Sequence, residues 1–233
     1  MNALSLDQIA HAVVSAFPNL SEQEQRVALA LYRLLANGES VNAEQISGAS
    51  DVPREAVAEM LPKWPGVQRS ADGAVTGFWG LTLSKTKHLF RVDGRELHTW
   101  CAWDTLFLPA LLGAAADVES VCPETSQRIR LTIDPSGVQS VEPKSVALSF
   151  LLPTKAEIER SVTETFCCHV QFFASSEAAG QWVSRHPRTF VLPLEMAWQV
   201  GMRRNTTQFR AVQSEHFVDA VQRYRQGGEQ CVS

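Results

Sequence analysis

Several features of common protein classes are absent from this sequence of 233 residues. No apolar run reaches the roughly 18 residues that a membrane-spanning helix requires. The start of the chain, Met1-Asn2-Ala3-Leu4, has neither the basic segment nor the long apolar segment of a secretory signal. We therefore expect a cytoplasmic protein with no membrane partner. Since 45% of the residues are apolar, the chain can form a substantial core.

An excess of basic side chains is also missing. Residues 1–80 carry nine acidic and five basic side chains, and residues 81–233 carry sixteen of each. Because the phosphates of nucleic acids attract basic surfaces, neither part of the chain has the charge of a nucleic-acid binder. We expect no nucleic-acid partner.

Cysteine pairs with Cys-x-x-Cys spacing, which announce many zinc sites, are missing too. The number of cysteines is five, which is odd, and two of them are adjacent. A disulfide framework is therefore not expected, and a reducing compartment would leave the thiols available as ligands or nucleophiles. The cysteines are Cys101, Cys122, Cys167, Cys168 and Cys231.

Residues 1–81 have the element order of a small winged-helix-like domain. Ser21 and Glu24 have the spacing of a capping box, and Asp72-Gly73 is typical of a hairpin turn. The third helix of the motif would begin at Pro53, and its two negative charges against one positive charge would repel phosphates. The predicted elements are helices over 4–17 and 21–35, helices from about 42 and 53, and strands over 67–70 and 75–81.

Residues 82–233 predict a larger α+β domain of mostly antiparallel sheet with surrounding helices. Turn signals such as Asp93-Gly94 separate its short strands. Arg203 and Arg204 end a predicted helix, where basic side chains are favourable, and give no indication of anion binding. The predicted strands cover 88–92, 96–100, 128–133, 138–141, 146–152 and 168–174, and the predicted helices about 103–113, 155–164, 176–186, 193–204 and 214–226.

The run from Trp100 to Pro109 carries a thiol and a carboxylate three residues apart, Cys101 and Asp104, in otherwise apolar surroundings. In a helix, positions i and i+3 share a face, so both groups would point into one pocket. A further thiol source lies downstream at Cys167-Cys168. Soft thiolate ligands beside a proton donor suit chemistry on a thiophilic metal.

The expected position of these groups predicts their ionisation. Cys101, at or just before a helix start, would have a lowered pKa that favours the thiolate. The apolar neighbours of Asp104 would raise the pKa of its carboxyl, which could then hold a proton near neutrality. The alternative role of Asp104 is that of a helix-capping carboxylate in the first turn.

Three blocks in the same order and at matching spacing give the chain a specific resemblance. They are Trp-Cys-Ala-x-Asp-Thr-Leu at 100–106, Ser136 with Val141-Glu142-Pro143, and Phe-Cys-Cys-His-Val at 166–170. In these blocks the chain resembles the bacterial organomercurial lyases, the alkylmercury lyase or MerB family. The likeness extends from about residue 20 to residue 205, and the fold of the family, a winged-helix-like part before a larger α+β part, agrees with the elements predicted above.

The resemblance implies an enzyme that cleaves carbon–mercury bonds by protonolysis to give a hydrocarbon and Hg(II). It implies that Cys101 and Cys167 are the catalytic cysteines, that Asp104 is the catalytic aspartate, and that these groups hold the Hg(II) product. It also implies that no organic cofactor is needed, that excess small thiol delivers the organomercurial substrate, and that mercuric reductase accepts the Hg(II). The apolar pocket for the organic group is expected to contain Trp100, Trp103, Phe166 and Phe172.

Other groups near the site have simpler expected roles. Successive side chains of a strand face opposite sides, so only one of Cys167 and Cys168 would face the site, and periodicity alone does not decide which. The resemblance points to Cys167, and Cys168 is expected to be a buried structural thiol. His169 is expected to be structural, Cys122 to pack in the fold, and Cys231 to lie in a frayed tail. Two other functions stay open: a thiol site for a heavy metal without turnover, and a metal-responsive regulator.

Overall fold

A computed structural model describes residues 4–212. Within this range the chain forms eight α-helices and eleven β-strands. The helices are α1 (Leu6–Ala16), α2 (Glu22–Leu35), α3 (Ala43–Ser50), α4 (Arg54–Met60), α5 (Asp104–Leu112), α6 (Lys155–Thr165), α7 (Ser176–Val183) and α8 (Leu194–Gln208). The strands are β1 (Val67–Arg69), β2 (Val75–Phe78), β3 (Leu81–Thr82), β4 (His88–Val92), β5 (Arg95–Thr99), β6 (Ala116–Val121), β7 (Arg128–Asp134), β8 (Gly137–Glu142), β9 (Ala147–Leu151), β10 (Phe172–Phe173) and β11 (Thr189–Pro193).

Capping signals set the starts of the first three helices. Ser5, Ser21 and Asn42 each accept a hydrogen bond from the backbone three residues on, and the side chain there returns one to the cap. The predicted capping box of Ser21 and Glu24 is confirmed, since the Glu24 carboxylate accepts the Ser21 backbone N–H at 2.8 Å. These bonds satisfy helix N–H groups that have no partner inside the helix.

Eight strands form one antiparallel sheet in the order β1-β2-β3-β5-β4-β6-β7-β8. The hairpin β1–β2 follows helices α2, α3 and α4, which is the element order expected of the N-terminal part. The sheet then continues from β2 through β3 to β5. The hairpin is therefore part of the large sheet, and the winged-helix arrangement and the division at residue 81 stay predictions.

A second sheet of three strands, in the order β10-β9-β11, packs with the helices of the C-terminal part. All five residues of its central strand β9 are buried. Helix α5 is buried along almost its whole length and packs against α2, α8 and β7. One continuous apolar core joins these layers. The mixed helical and antiparallel architecture confirms the predicted α+β class.

The predicted strand over 168–174 is wrong for most of its length. Residues Cys167–His169 form a 3-10 turn, and only Phe172–Phe173 is a strand. The predicted strand over 75–81 is interrupted where Trp79 and Gly80 have positive φ angles of 31° and 106°. Tertiary contacts override local strand preference at both places.

Two strands and one helix end were not predicted. The alternation of buried and exposed residues in β6 is the ordinary strand pattern, and β11 pairs along the whole length of β9. Helix α8 continues four residues beyond the predicted end to Gln208. The predicted helix over 214–226 lies outside the described residues. Among the helices that the structure describes, none is long and apolar enough to cross a membrane.

Candidate active site

Cys101, Asp104 and Cys167 come together in the interior of the fold. One ligand atom of each side chain lies within 4.8 Å of those of the other two. The three residues are 0%, 4% and 3% exposed. In the part of the chain that the structure describes, this is the one group of three or more potential metal ligands. Residues 66 positions apart in sequence thus present two thiols and a carboxyl group to one point.

Hydrogen bonds hold the Cys101 segment in a turn before α5. The backbone N–H of Cys101 donates to Asp104 Oδ2 at 2.8 Å, and the Thr99 hydroxyl donates to the Cys101 carbonyl at 2.9 Å. Asp104 is the first residue of α5, and Cys101 lies outside the helix. Proximity within the turn, and not a shared helical face, therefore brings the thiol and the carboxylate together. The Asp104 carboxylate thus closes the turn before α5, but the alternative role of helix capping is not confirmed, because the N-cap residue of α5 is Trp103 and makes no side-chain cap.

The Cys167 turn is joined directly to the Cys101 segment. The backbone N–H of Ala102 donates to the Val170 carbonyl at 3.1 Å, and the Val170 N–H donates to the Cys167 carbonyl at 3.1 Å. The Ser149 hydroxyl on β9 holds the same turn through the His169 carbonyl at 2.7 Å. This chain of bonds fixes the two thiol-bearing segments relative to each other.

Gly80 leaves the space that the Asp104 carboxylate fills. A Cβ atom on Gly80 would lie 2.5 Å from Asp104 Cγ and 2.6 Å from Oδ1. The Gly80 carbonyl accepts the Trp100 backbone N–H at 2.9 Å, and the Tyr32 hydroxyl donates to the Trp79 carbonyl at 2.9 Å. A glycine is required here both for its φ of 106° and for the close approach of the carboxylate.

Burial dominates the ionisation of the site. It raises the pKa of the Asp104 carboxyl to about 6, while hydrogen bonds from Cys101 and the charge of Arg204 lower it. The predicted rise in the Asp104 pKa is confirmed. Burial also raises the pKa of the Cys101 thiol, and its hydrogen bond with Cys167 and the charge of Asp104 add to the rise. The predicted lowering of the Cys101 pKa is therefore wrong.

The second thiol is also protonated more readily than an exposed cysteine. Its hydrogen bond with the Cys101 thiol lowers the pKa of Cys167, but burial and the charge of Asp104 raise it on balance. Both thiols need a base before they bind a metal as thiolates, because the thiolate is the ligand form.

Aromatic side chains form most of the wall around the three groups. The indole Nε1 of Trp103 donates to the Ala197 carbonyl at 2.9 Å, and its ring meets Phe166 edge-on at 5.9 Å. The cavity beside them contains about 230 Å³ of empty space, counted out to solvent. It is lined by Phe17, Trp79, Gly80, Trp100, Trp103, Asp104, Phe107, Val162, Phe166, Cys167 and Arg204.

Of the four residues expected in an apolar pocket, Trp100, Trp103 and Phe166 line this cavity and Phe172 does not, and Arg204 lines it although it was not predicted. Arg204 was predicted to end a helix, where a basic side chain is favourable, whereas it is 1% exposed and lies inside α8, which continues to Gln208. Its helical spacing from the buried residues Ala197 and Gly201 is the signal that places it on the buried face.

The remaining cysteines lie apart from the cluster of Cys101, Asp104 and Cys167. Cys168 is exposed, and its thiol donates to the Glu164 carbonyl at 2.9 Å. The expectation of a buried structural Cys168 is wrong, because the 3-10 turn directs successive side chains differently from a strand. Cys122 is buried elsewhere, as expected, and Cys231 lies outside the described residues. His169 is half-buried and does not belong to the ligand group.

Two buried thiols and a carboxyl group with a raised pKa, enclosed by aromatic rings in an α+β fold, define a class of site. It is a soft-metal site with its own proton donor, as a thiol-dependent enzyme acting on a thiophilic metal would have.

Comparison with known proteins narrows this class. The family model described as MerB: Alkylmercury lyase matches residues 81–205. The alkylmercury lyase of Staphylococcus epidermidis is 41% identical over 171 residues, which are 73% of this chain and 77% of the relative. That of Pseudomonas putida is 40% identical over 183 residues, 78% of this chain and 84% of the relative. The chain belongs to the alkylmercury lyase family, and it is an enzyme that cleaves the carbon–mercury bond of organomercurials.

A solved structure supports the fold independently. The chain is similar to the crystal structure of the mercury-bound form of MerB2, with a TM-score of 0.66 and 22% sequence identity. The match covers 85% of this chain and 96% of the other. At this identity the likeness concerns the fold.

Proposed function

We propose that this lyase cleaves the carbon–mercury bond by protonolysis, with Cys101 and Cys167 as mercury ligands and Asp104 as the proton carrier. The observation that carries the proposal is the meeting of these three side chains within 4.8 Å in a buried site. Mercury is the substrate's own metal here and leaves as product. The structure contains two soft ligands and one titratable oxygen acid, which is the set that this reaction requires.

The thiols weaken the bond that is broken. Carbon bound to mercury is a very weak base, so water alone protonates it slowly. Thiolates bind a soft metal strongly, and each one adds electron density to mercury and to the attached carbon. Binding by both Cys101 and Cys167 therefore raises the basicity of that carbon at the point where a proton can reach it.

Asp104 moves the proton. The raised pKa values of both thiols mean that each must lose its proton to bind mercury as a thiolate. One thiol displaces the small thiol that delivers the organomercurial, and its proton leaves on that small thiol. The other thiol gives its proton to the Asp104 carboxylate, which with a pKa of about 6 is ionised enough near pH 7 to accept it. The same carboxyl then donates that proton to carbon. The carbon–mercury electron pair becomes the new carbon–hydrogen bond, and Hg(II) remains on the two thiolates. Charge and atoms balance without any redox step.

The pocket and the co-reactant complete the cycle. The rings of Trp100, Trp103 and Phe166 surround the organic group, which leaves as a hydrocarbon. The enzyme needs no organic cofactor. Excess small thiol in the cytoplasm delivers the organomercurial and removes Hg(II) from Cys101, Cys167 and Asp104, and mercuric reductase accepts the metal. The acidic side chains of α4, Glu55 and Glu59, disfavour DNA, so a regulator has no support here.

The test follows hydrocarbon release. Phenylmercuric salt and excess thiol are incubated with the enzyme in D₂O, and benzene is measured by gas chromatography with mass detection. We expect benzene with one deuterium, because the transferred proton exchanges with solvent through the thiols and Asp104. A protein that only binds the metal would release no benzene.

Three substitutions test the assigned roles. Cys101→Ser, Cys167→Ser and Asp104→Asn should each lower kcat by about 100-fold or more, the range in which a positioned acid or base contributes. Cys122→Ser is the matched control, since it alters a buried thiol away from the site, and folded protein should keep its activity. Full activity of Asp104→Asn would refute the proton role of this residue.

A further inference from the structure

We propose that Arg204 is an anion-binding residue of the active site and selects substrates that carry a carboxylate. The proposal rests on the proposed reaction at Cys101, Cys167 and Asp104, and it assigns a second binding function to the same cavity. Its starting observation is a guanidinium group that is buried and has unused hydrogen-bond donors.

Two of the three nitrogens of the Arg204 guanidinium lack the acceptors that a buried cation requires, and the nearby Tyr32 hydroxyl is a neutral group. Arg204 is 1% exposed, and its Nε and Nη2 atoms have no hydrogen-bond acceptor among the described residues. Its Nη1 donates to the amide oxygen of Asn205 at 3.3 Å. Unpaired buried charges and donors are costly, so this arrangement indicates a missing acceptor.

Two aromatic rings hold the guanidinium in place. Its Cζ atom lies 5.0 Å from the ring centre of Phe17 and 4.6 Å from that of Phe107. Such ring contacts stabilise the charge, but they provide no oxygen acceptor for the N–H groups. The planar fork of an arginine matches the two oxygens of a carboxylate.

The position of Arg204 connects it with the reaction. It lines the same cavity as Asp104 and Cys167. It also lines a second cavity of about 210 Å³, counted out to solvent, together with Phe17, Pro18 and Gln208. Arg204 and Phe17 line both cavities, so the guanidinium lies at the boundary between them.

Asp104 is the acidic side chain on the wall of the reaction cavity, and its Oδ2 atom accepts the backbone N–H of Cys101. The indole Nε1 of Trp100, on the same wall, is a further buried donor that has no acceptor among the described residues. The cavity therefore offers several donors and suits an anionic oxygen ligand.

A carboxylate can reach the cavity from two sources: the organic group on mercury, or the small thiol that delivers it. The test varies the substrate and the small thiol independently. Enzyme is assayed with 4-mercuribenzoate and with its neutral carboxamide analogue, each delivered by mercaptoacetate or by 2-mercaptoethanol. If the carboxylate comes from the organic group, wild-type kcat/KM should be about 10- to 100-fold higher with 4-mercuribenzoate than with the carboxamide. If it comes from the thiol, the same difference should appear between mercaptoacetate and 2-mercaptoethanol. This is the range expected for a hydrogen bond to a charged group.

Arg204→Met should abolish this preference, and Arg204→Lys should restore part of it. Arg203→Met is the matched control, because Arg203 is the neighbouring residue of α8 but is only partly buried and pairs with Asp7. It should keep the wild-type ratio. The test compares the ratio of kcat/KM between the carboxylate and carboxamide substrates. A general loss of activity, including one caused by a change in the acidity of Asp104, lowers both values equally and leaves this ratio unchanged.

The outcomes separate the proposal from a purely structural role and from the proposed reaction. If Arg204→Met lowers all four rates by the same factor, or if wild type shows no preference in either arm, the proposal is wrong. Turnover of the carboxamide substrate tests the lyase reaction itself. If the variant does not fold, benzoate and benzamide are compared as inhibitors of wild type, and equal inhibition would overturn the proposal.

Discussion

Substitution of Gly80 by alanine tests whether the fold holds the Asp104 carboxylate in position. The added Cβ would lie 2.5 Å from Asp104 Cγ and 2.9 Å from Asp104 Cβ, far inside the 3.5–4.0 Å at which carbon atoms pack. The backbone cannot easily move away, since its carbonyl is bonded to the Trp100 N–H. We therefore expect the carboxylate to be displaced from the thiols.

The expected loss of unfolding free energy has two parts. A φ of 106° at residue 80 makes any side chain unfavourable by about 1–2 kcal/mol, and overlap in a packed interior adds about 1–3 kcal/mol. Displacement of a catalytic group by about 1 Å costs about 100-fold in rate. Gly80→Ala should thus lose about 2–5 kcal/mol of unfolding free energy and about 100-fold in kcat.

Gly73→Ala is the matched control. Gly73 has a φ of 87° and open space where a Cβ would be, in the exposed turn between β1 and β2. It should show the conformational cost alone, about 1–2 kcal/mol, with unchanged kcat. Urea unfolding and the benzene assay measure both quantities. Wild-type kcat in a folded Gly80→Ala variant would refute the idea that this glycine positions the carboxylate.

Two further predictions concern ionisation and exposure. The pKa of Asp104 is raised to about 6 in the folded state and is about 3.9 in the unfolded state, so ionisation of Asp104 destabilises the fold as pH rises from about 4 to 6. The unfolding free energy of Asp104→Asn should therefore increase by on the order of 3 kcal/mol relative to that of wild type across this pH range. Parallel urea titrations would show no such increase if the carboxyl were solvated. Exposed Cys168 should react with a bulky disulfide reagent before buried Cys101 and Cys167, and peptide mapping after brief labelling would contradict the structure if the buried thiols reacted first.

Local signals account for the parts of the fold that the sequence predicted. The capping box at Ser21 and the turn at Asp72-Gly73 depend on residues a few positions apart, so the local sequence predicts both. The Cys167 turn depends on the bond between Ala102 and Val170, which joins distant segments. A run of apolar residues there predicts a strand, and only the tertiary contact makes it a turn.

The site residues likewise include some that the sequence predicts and some that it does not. The family blocks indicated Cys101, Asp104 and Cys167, and the structure brings these side chains together. The roles of Arg204 and Gly80 could not be predicted in this manner, because these roles come from the groups that the two residues face. A charged residue near the predicted end of a helix is usually exposed, and the inward direction of Arg204 follows from the extension of α8 to Gln208.

The wrong prediction for the Cys101 pKa explains why the site needs Asp104. A helix start stabilises a nearby anion by about 0.3–1 kcal/mol, up to about 2, whereas full burial can shift a pKa by 3–5 units, which is about 4–7 kcal/mol. Burial therefore wins, and Cys101 stays a thiol until a base removes its proton. In the proposed reaction, the proton that makes the thiol a poor ligand is the one that the carbon needs. A carboxyl with a pKa of about 6 beside that thiol can take it and deliver it, which neither a fully ionised nor a fully protonated acid could do.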